Sequence, residues 1–270
     1  MFTLQAIRAL TKWFLPRKKL IMPRVKCAIL ATPATMQSAR LLADLVAEEV
    51  YDSADDLNES IRPPKVLLRW GNGYGRIEDV SRVATKVINK ASAITLNCNK
   101  PEASDVLSDV VDVPHRYRRS IPEGVQAVLR PETHERGHDW ELVTGPRVIP
   151  EGHYARKFIP VHDEYRMWYC NGQTLLARRA RRPADERGAN RAEWGYQFMR
   201  RPDVDLVSDT VKAFKAIGLD FGAADILHDT TNDRCYFTEL NSAPALDHPN
   251  VLEFFRTHLT ALINNKLETP

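Results

Sequence analysis

The sequence DFGAADIL, residues 220–227, followed after a polar turn by YFTELNSAP, residues 236–244, decides the fold of this chain. Two short apolar runs separated by turn residues predict an antiparallel pair of strands. Glu239 and Asn241 are two residues apart, so both side chains leave the same face of a strand. If the hairpin closes near its middle, Asp225 on the first strand lies roughly opposite Glu239.

This arrangement places two carboxylates and an amide oxygen on a face that would otherwise pack a core. Buried carboxylates repel each other and lose their solvation, so they need a cation to hold them ionised. Hard oxygen ligands suit Mg²⁺, which usually keeps several waters and bridges to substrate phosphates. The pattern therefore predicts a magnesium–nucleotide site at Asp225, Glu239 and Asn241. The alternative is a surface hairpin with solvated acids.

The composition sets broad limits on function. A chain of 270 residues holds one large domain or two to three small ones, and a net charge of +3 gives no global argument for nucleic acid. No apolar run approaches the roughly 20 residues that span a bilayer. The cysteines lie far apart with no CxxC spacing, which argues against a zinc site and a disulfide framework and leads us to expect a reducing, cytoplasmic location. They are Cys27, Cys98, Cys170 and Cys235.

Residues 1–20 have the pattern of a basic amphipathic helix, with apolar side chains loosely on one face. Such a helix can lie on an anionic membrane surface or bind a partner. The alternatives are a packed N-terminal helix, or an upstream start with the domain proper beginning at Met22. No small-residue cleavage site follows a long apolar core, which argues against a signal peptide.

The next part of the chain predicts a small α/β unit. Its expected elements are a strand at 25–33, a helix at 34–50, a strand at 65–70, a helix at 81–89 and a strand at 93–96. The glycines of GNGYG, residues 71–75, lack the full dinucleotide-binding spacing, and no Lys-Ser or Lys-Thr follows them. The loop nevertheless follows the carboxyl end of a strand, where α/β sheets bind ligands.

A second unit starts at Asn97 and predicts a strand–flap–strand arrangement. A helix at 102–110 precedes a strand at 126–131, a polar glycine-bearing loop at 132–139 and a returning strand at 140–143. The backbone N–H groups of such a loop could cover phosphates. A plain exposed hairpin is the alternative.

The third unit predicts a hairpin that leads into an arginine-rich segment. The strand 164–170 turns at Asn171-Gly172, a strong hairpin signal, into 174–177. The basic run 178–191 could be a solvated loop, could bind phosphate or carboxylate through guanidinium groups, or could contact nucleic acid beside Trp194 and Tyr196. Helices are expected at 205–217, ended by Gly218, and at 249–262.

In this order the units resemble the ATP-grasp superfamily, and within it the ribosomal-protein glutamate ligases and the glutathione-synthetase-like carboxylate–amine ligases. The match is closest from Tyr154 to Leu246. There, FIPVHDEYRMWYCNG is similar to the hinge-and-strand segment of these families, and LDFGAADIL with YFTELNSAPAL is similar to their metal segment.

The resemblance implies an α/β (α+β) ATP-grasp fold. A basic extension at 1–21 would precede a pre-ATP-grasp α/β domain at 22–96. A central flap domain at 97–160 and a C-terminal antiparallel-sheet domain at 161–270 would follow.

The resemblance also implies roles for individual residues. Asp225, Glu239 and Asn241 would hold one or two Mg²⁺ ions between the β- and γ-phosphates. Arg166 and Arg179 would face phosphate or substrate as catalytic residues, with Asn190 a further candidate near the metal. Residues expected to bind ATP are Lys100, Arg130, His134, Gly137, Glu164 and the main chain around Lys157, Phe158 and Ile159. Arg130 stands where these families commonly have lysine, and a guanidinium can do the same charge work.

The activity implied is an ATP- and Mg²⁺-dependent carboxylate–amine ligase that works through an acyl phosphate, with small-molecule or peptide substrates. Two alternatives remain open: an ATP-grasp kinase that phosphorylates a hydroxyl, and a binding module for nucleotide or nucleic acid. The sequence does not specify the acids and amines used. It also leaves the oligomeric state open, a homodimer included.

Overall fold

The computed structural model describes residues 26–32, 35–47, 49–52, 57, 64–71, 86–132, 140–160, 163–181, 194–200 and 203–268. The predictions made for the N-terminal helix, for the flap residues His134 and Gly137, and for Asn190 lie outside the described residues. So do most of the GNGYG loop and most of the arginine-rich run.

The N-terminal unit is a parallel four-stranded sheet with one helix. Its elements are β1 (Cys27–Ala31), α1 (Met36–Val46), β2 (Glu49–Tyr51), β3 (Val66–Trp70) and β4 (Lys86–Ile88). The strand order in the sheet is β2-β1-β3-β4. Every residue of β1 and β3 is buried, as expected for strands covered on both faces.

Two predictions in this unit are wrong. The end of the helix expected at 81–89 is strand β4, and the strand expected at 93–96 belongs to helix α2 (Ala91–Cys98). Strand β4 carries β-branched residues and pairs with β3 in the sheet, which overrides a weak helical pattern. The apolar run in α2 fits either a strand or a helix by its sequence pattern. It is helical because Ala93, Ile94 and Cys98, which are one and four positions apart, pack on the same core. The helix predicted at 34–50 also ends early, since its last residues form β2.

The central unit is an antiparallel four-stranded sheet beside a short two-stranded pair. Its elements are α3 (Lys100–Ser108), β5 (Arg116–Tyr117), β6 (Ser120–Ile121), β7 (Gln126–Pro131), β8 (Glu141–Thr144), β9 (Arg147–Val148) and β10 (His153–Lys157). The sheet has the order β5-β10-β7-β8, and β6 pairs with β9. The strand predicted at 126–131 is confirmed, and the returning strand lies within one residue of the expected range. Helix α3 begins before its predicted start, because the Asn99 side chain caps it by accepting from the Glu102 N–H at 3.3 Å.

The C-terminal unit is an antiparallel five-stranded sheet with two helices. Its elements are β11 (Asp163–Cys170), β12 (Gln173–Arg181), β13 (Trp194–Phe198), α4 (Val204–Ile217), β14 (Phe221–Asp229), β15 (Arg234–Asn241) and α5 (Pro249–Glu268). The strand order is β13-β12-β11-β14-β15. The predicted hairpin turn is confirmed: Asn171 and Gly172 have φ values of 49° and 85°, as a primed turn requires. Gly218 ends α4 in the left-handed conformation, also as predicted.

The two faces of this sheet pack against different partners. On one face, residues such as Met167 and Ile226 form a core with α2, α3 and α4. On the other, Trp168 and Ala223 join the N-terminal sheet and α5. Trp70 of β3 stacks on Phe221 with ring centroids 5.3 Å apart, which fixes the two sheets together. Within the described residues, one end of the second face is left for polar side chains.

Among the described helices, none combines the length and the apolar character needed to cross a membrane. Cys27, Cys98, Cys170 and Cys235 all lie within the described residues, and none of them forms a disulfide. The three domain boundaries stay predictions. Helix α2 begins before the predicted boundary at residue 97, and it packs with α3 on the C-terminal sheet.

Gly222 allows β14 and β15 to approach closely beside the predicted metal ligands. A Cβ atom at this position would lie 2.4 Å from the Asn241 carbonyl oxygen and 2.9 Å from Cε1 of Phe214. Because β14 is buried on both faces here, neither neighbour can move away at low cost. We expect Gly222→Ala to lower the free energy of unfolding by about 3 kcal/mol, measured by urea denaturation.

The matched control is Gly124→Ala. Gly124 has a φ of 70°, and a Cβ atom at this position would meet nothing within 4 Å, so the substitution tests backbone conformation without a steric clash. We expect it to lose only about 1 kcal/mol. Equal losses at the two glycines would show that the close approach at Asn241 is not what Gly222 provides.

Candidate functional site

A β-bulge in the β14–β15 hairpin sets which side chains reach the site. Asp225 pairs with Glu239 as predicted, but the next pair is Ile226 with Phe237, so Thr238 is an extra residue. Its hydroxyl donates to the Asp225 carbonyl at 2.9 Å. The bulge lets Phe237 and Leu240 enter one core while Glu239 stays on the face of Asp225. The alternation of the sequence alone did not predict this extra residue.

Asp225 accepts hydrogen bonds from three side chains on three different strands. Arg166 Nη1 lies 3.0 Å and Arg179 Nη2 lies 2.9 Å from its Oδ1, and Asn241 Nδ2 lies 3.0 Å from its Oδ2. The Arg166 and Asp225 side chains are only 10% and 15% exposed. Arg166 is the register partner of Asp225 on β11, so the sheet itself brings this pair together. Glu164, in turn, pairs with Arg179 at 3.6 Å.

Glu239 is the second carboxylate of the site. Its Oε2 lies 3.9 Å from Lys100 Nζ, and its Oε1 lies 3.4 Å from Asn241 Nδ2. Burial pushes the pKa of Glu239 up, but the Lys100 ammonium, the Arg130 guanidinium and the hydrogen bond from Asn241 outweigh it and lower the pKa to about 2. Glu239 is therefore ionised at neutral pH.

These oxygens form a donor set that fits a hard divalent cation. The set differs from a cluster of three or more His, Cys, Asp or Glu side chains, and no such cluster that could hold a metal occurs among the described residues. The set here is two carboxylates and one amide, and Mg²⁺ commonly takes one or two carboxylates and completes its shell with water and phosphate. Asn241 donates from Nδ2 to both acids, so its Oδ1 would bind a metal only if the side-chain amide flipped, exchanging the positions of Nδ2 and Oδ1.

A cavity of about 180 Å³ separates this face from the central sheet. It contains six of the predicted site residues: Lys100, Arg130, Glu164, Arg179, Asp225 and Glu239. Its other lining residues are Tyr154, Arg156, Tyr165, Ile226, Leu227 and Thr238.

The remaining predicted residues in the described part of the chain do not line the cavity, although Asn241 contacts Asp225 and Glu239, which do. Arg166 contacts Asp225 from the same face. The main chain of Lys157 and Phe158 is partly committed elsewhere, because their N–H groups donate to the carbonyls of His115 at 2.8 Å and Gln126 at 2.9 Å. Neither these two residues nor Ile159 lines the cavity.

The cavity carries excess positive charge. Among the described residues, five cationic side chains line it or contact its acids, against three carboxylates, which leaves a formal balance of +2. The cations are Lys100, Arg130, Arg156, Arg166 and Arg179, and the carboxylates are Glu164, Asp225 and Glu239. In a partly enclosed space such a balance favours a bound polyanion.

Tyr154 and Arg156 were missed from the sequence. Both lie on the face of β10 that carries Arg130 on the neighbouring strand, because Tyr154 pairs with Arg130 and Arg156 follows two residues later. Burial lowers the pKa of Arg156 and raises that of Tyr154. The alternation of side-chain direction along His153–Lys157, combined with the pairing of β10 with β7, could have identified Tyr154 and Arg156.

Asp225 also stabilises the protein without any ligand, since its loss would leave two guanidinium groups short of a counter-charge. We expect Asp225→Asn to lower the free energy of unfolding by about 2 kcal/mol in urea denaturation of the ligand-free protein. Glu141→Gln is the control, because Glu141 pairs with Arg147 at an exposed position and its loss should leave the midpoint nearly unchanged. A stable Asp225→Asn protein would mean that the arginines find other partners.

The lowered pKa of Glu239 predicts a specific pH dependence. A carboxyl whose pKa is lower in the folded state contributes stability above its unfolded pKa, and this contribution is lost as pH falls towards the folded value. The difference in unfolding free energy between wild type and Glu239→Gln should therefore shrink as pH falls from about 5 to about 2. The check is chemical denaturation of both proteins across this range. A constant difference would contradict the ionised pairing described above.

No model of a known protein family matches this chain, and no curated protein matches it in sequence. Solved structures do match it in three dimensions. The ATP-grasp ligase PsnB, complexed with a minimal precursor, superposes with a TM-score of 0.68 at 13% identity, covering 91% of this chain and 100% of that one.

Two further structures are similar to the chain. The D-alanine–D-alanine ligase from Bacillus anthracis gives a TM-score of 0.66 at 12% identity, covering 92% of this chain and 97% of its own. The macrocyclase MdnC from Microcystis aeruginosa, bound with precursor peptide MdnA, gives 0.61 at 10% identity, covering 90% and 100%. PsnB has also been solved with Mg and ADP, and the Bacillus anthracis ligase with ATP. The chain therefore has the ATP-grasp fold that the order of its units predicted.

Proposed function

We propose that this protein is an ATP- and Mg²⁺-dependent carboxylate–amine ligase that forms an amide or peptide bond through an acyl phosphate. The observation that carries the proposal is the cavity between the central and C-terminal sheets. It combines excess positive charge with a two-carboxylate, one-amide donor set at one wall. ATP with one bound Mg²⁺ has a formal charge of −2, which balances the +2 of the cavity.

Asp225, Glu239 and Asn241 are proposed to hold Mg²⁺, which would neutralise the β- and γ-phosphates. Asp225 is paired with Arg166 and Arg179, so a bound metal would compete with these pairs. Arg179 is proposed to stabilise charge on the transferring phosphoryl group. Its pair with Glu164 would hold it close to the cavity in that role.

Lys100 and Arg130 are proposed to bind phosphate oxygens. Arg130, on β7, lies opposite the wall formed by Asp225, Glu239 and Asn241, which we call the metal wall. Lys100, at the start of α3, lies beside that wall, with its Nζ 3.9 Å from Glu239 Oε2. Glu164 can accept from the ribose or a nearby polar group. The main chain around Lys157–Ile159, and the flap residues His134 and Gly137, are proposed contacts on the basis of the ATP-grasp resemblance alone.

The chemistry requires positioning and charge neutralisation more than a protein nucleophile. A carboxylate oxygen of the substrate attacks the γ-phosphorus, and the bond from that phosphorus to the β,γ-bridging oxygen breaks, releasing ADP. An amine then attacks the acyl carbon, a C–N bond forms, and inorganic phosphate leaves with the electron pair of the broken C–O bond. The amine proton passes to solvent.

The substrates are proposed to be a carboxylate and an amine, either of which could belong to a peptide. The support is that PsnB and MdnC, which share this fold, were solved with precursor peptides. An ATP-grasp kinase that phosphorylates a hydroxyl remains the second enzyme class, and a module that binds nucleotide or nucleic acid without catalysis remains the third. A cytoplasmic location is part of the proposal.

ADP release measured over a panel of carboxylates and amines, with mass spectrometry of the products, separates these classes. The ligase predicts ADP release that needs both a carboxylate and an amine, and a product whose mass equals the two substrates minus water. A phosphate ester formed from a hydroxyl compound would identify a kinase. Nucleotide binding with no turnover of any pair would favour a binding module.

The Glu239→Gln variant tests the metal wall directly. It removes one of the two charges that would hold Mg²⁺ but keeps the size of the side chain, so we expect a loss of Mg²⁺-dependent ADP release of at least about 100-fold. Circular dichroism should show an intact fold. Glu141→Gln, on the exposed β8 strand, is the matched control and should retain activity. Full activity in a folded Glu239→Gln protein would contradict both the ligase and the kinase.

A further inference from the structure

Arg156 connects the central sheet to two other elements at the edge of the cavity. From β10, its Nη1 donates to the Thr238 carbonyl at 2.6 Å, and its Nη2 donates to the Lys100 carbonyl at 3.3 Å. Its guanidinium carbon also lies 5.3 Å from the centroid of the Tyr154 ring, which supports the cation from one side. One planar group therefore contacts β15 and the start of α3 at once.

The two carbonyls to which Arg156 donates lie on the backbone next to the Lys100–Glu239 ion pair. Lys100 is itself one member, and Thr238 is the bulge residue immediately before the other, Glu239. Lys100 Nζ also donates to the carbonyl of Leu240, the residue after Glu239, at 3.4 Å. The backbone on each side of the Lys100–Glu239 pair is thus fixed by the same guanidinium.

A direct contact of Arg156 with phosphate is the competing role. Arg156 lines the cavity, and its Nε is buried with no hydrogen-bond partner in the part of the chain described. Both Nη atoms, however, already donate to carbonyls, and their fork matches two acceptors on separate elements. Burial of the guanidinium costs solvation that only such well-placed acceptors offset. The contacts favour a structural link over a phosphate ligand.

We propose that Arg156 is a positioning residue for the metal wall. It holds the backbone of Lys100 and of the β15 bulge so that the Lys100 and Glu239 side chains meet the cavity in a fixed relation. It thereby ties the position of the central sheet to the metal-binding face. The consequence for metal binding rests on the proposed function, whereas the bracing of the bulge does not.

Arg156→Lys separates the two roles, because it keeps the charge but cannot reproduce a planar fork to two carbonyls. Binding of Mn²⁺ to the protein saturated with a non-hydrolysable ATP analogue is measured by electron paramagnetic resonance. Positioning predicts an affinity about 10- to 100-fold weaker for Mn²⁺, with a far smaller change in metal-free binding of the analogue. In the ligand-free protein, amide hydrogen exchange at residues 238–240 should become faster.

Arg147→Lys is the matched control, since Arg147 is exposed and its guanidinium pairs with Glu141 at 2.8 Å. It should change neither Mn²⁺ affinity nor exchange at the bulge. If Arg156→Lys fails to fold, Arg156→Gln, which retains a planar amide donor, takes its place and should show the same direction of change.

Wild-type Mn²⁺ affinity and wild-type exchange in a folded Arg156→Lys protein would overturn the inference and assign the residue a charge role. If wild type itself bound no Mn²⁺–nucleotide, the proposed function would fail. In that case the exchange measurement would still decide whether Arg156 braces the bulge.

Discussion

The structure depends on one electrostatic constraint: two carboxylates, Asp225 and Glu239, face each other across a hydrogen-bonded pair of strands. Like charges so close and so little exposed are stable only when other groups neutralise them. The chain supplies these groups from separate elements. Arg166 comes from β11 and Arg179 from β12, while Lys100 comes from the start of α3. The site is therefore an assembly point for the central and C-terminal units as well as a candidate for chemistry.

The packing of the five-stranded sheet explains why the site lies where it does. One face is covered by α2, α3 and α4, and most of the other is covered by the N-terminal sheet and α5. The polar side chains occupy the end of the second face that these described elements leave uncovered. Opposite them, Arg130, Tyr154 and Arg156 project from the central sheet. A partly enclosed, cationic gap between two sheets is the direct result, and reduced solvent access strengthens the charge interactions inside it.

The structure could be predicted from the sequence where a local pattern is compatible with only one backbone conformation. The pairing of Asp225 with Glu239, the Asn171-Gly172 turn and the helix stop at Gly218 each follow from backbone geometry that few other residues allow. Prediction failed for the ends of the N-terminal unit, where runs of three to eight residues fit either a strand or a helix. Tertiary pairing decided those segments, and no local pattern records it. The bulge at Thr238 could not be predicted from the sequence for a related reason, because it depends on Phe237 and Leu240 packing in the same core. The role of Arg156 likewise depends on carbonyls 56 and 82 residues away in the chain.

We propose that the cavity between the two sheets binds a magnesium–nucleotide complex. The most direct test is calorimetric titration of the wild-type protein with a non-hydrolysable ATP analogue, with Mg²⁺ and with a chelator. We expect binding at one site, and we expect Mg²⁺ to strengthen it by about tenfold or more, since Asp225 and Glu239 otherwise repel the phosphates. The absence of binding, or an affinity that is the same with and without Mg²⁺, would contradict this proposal.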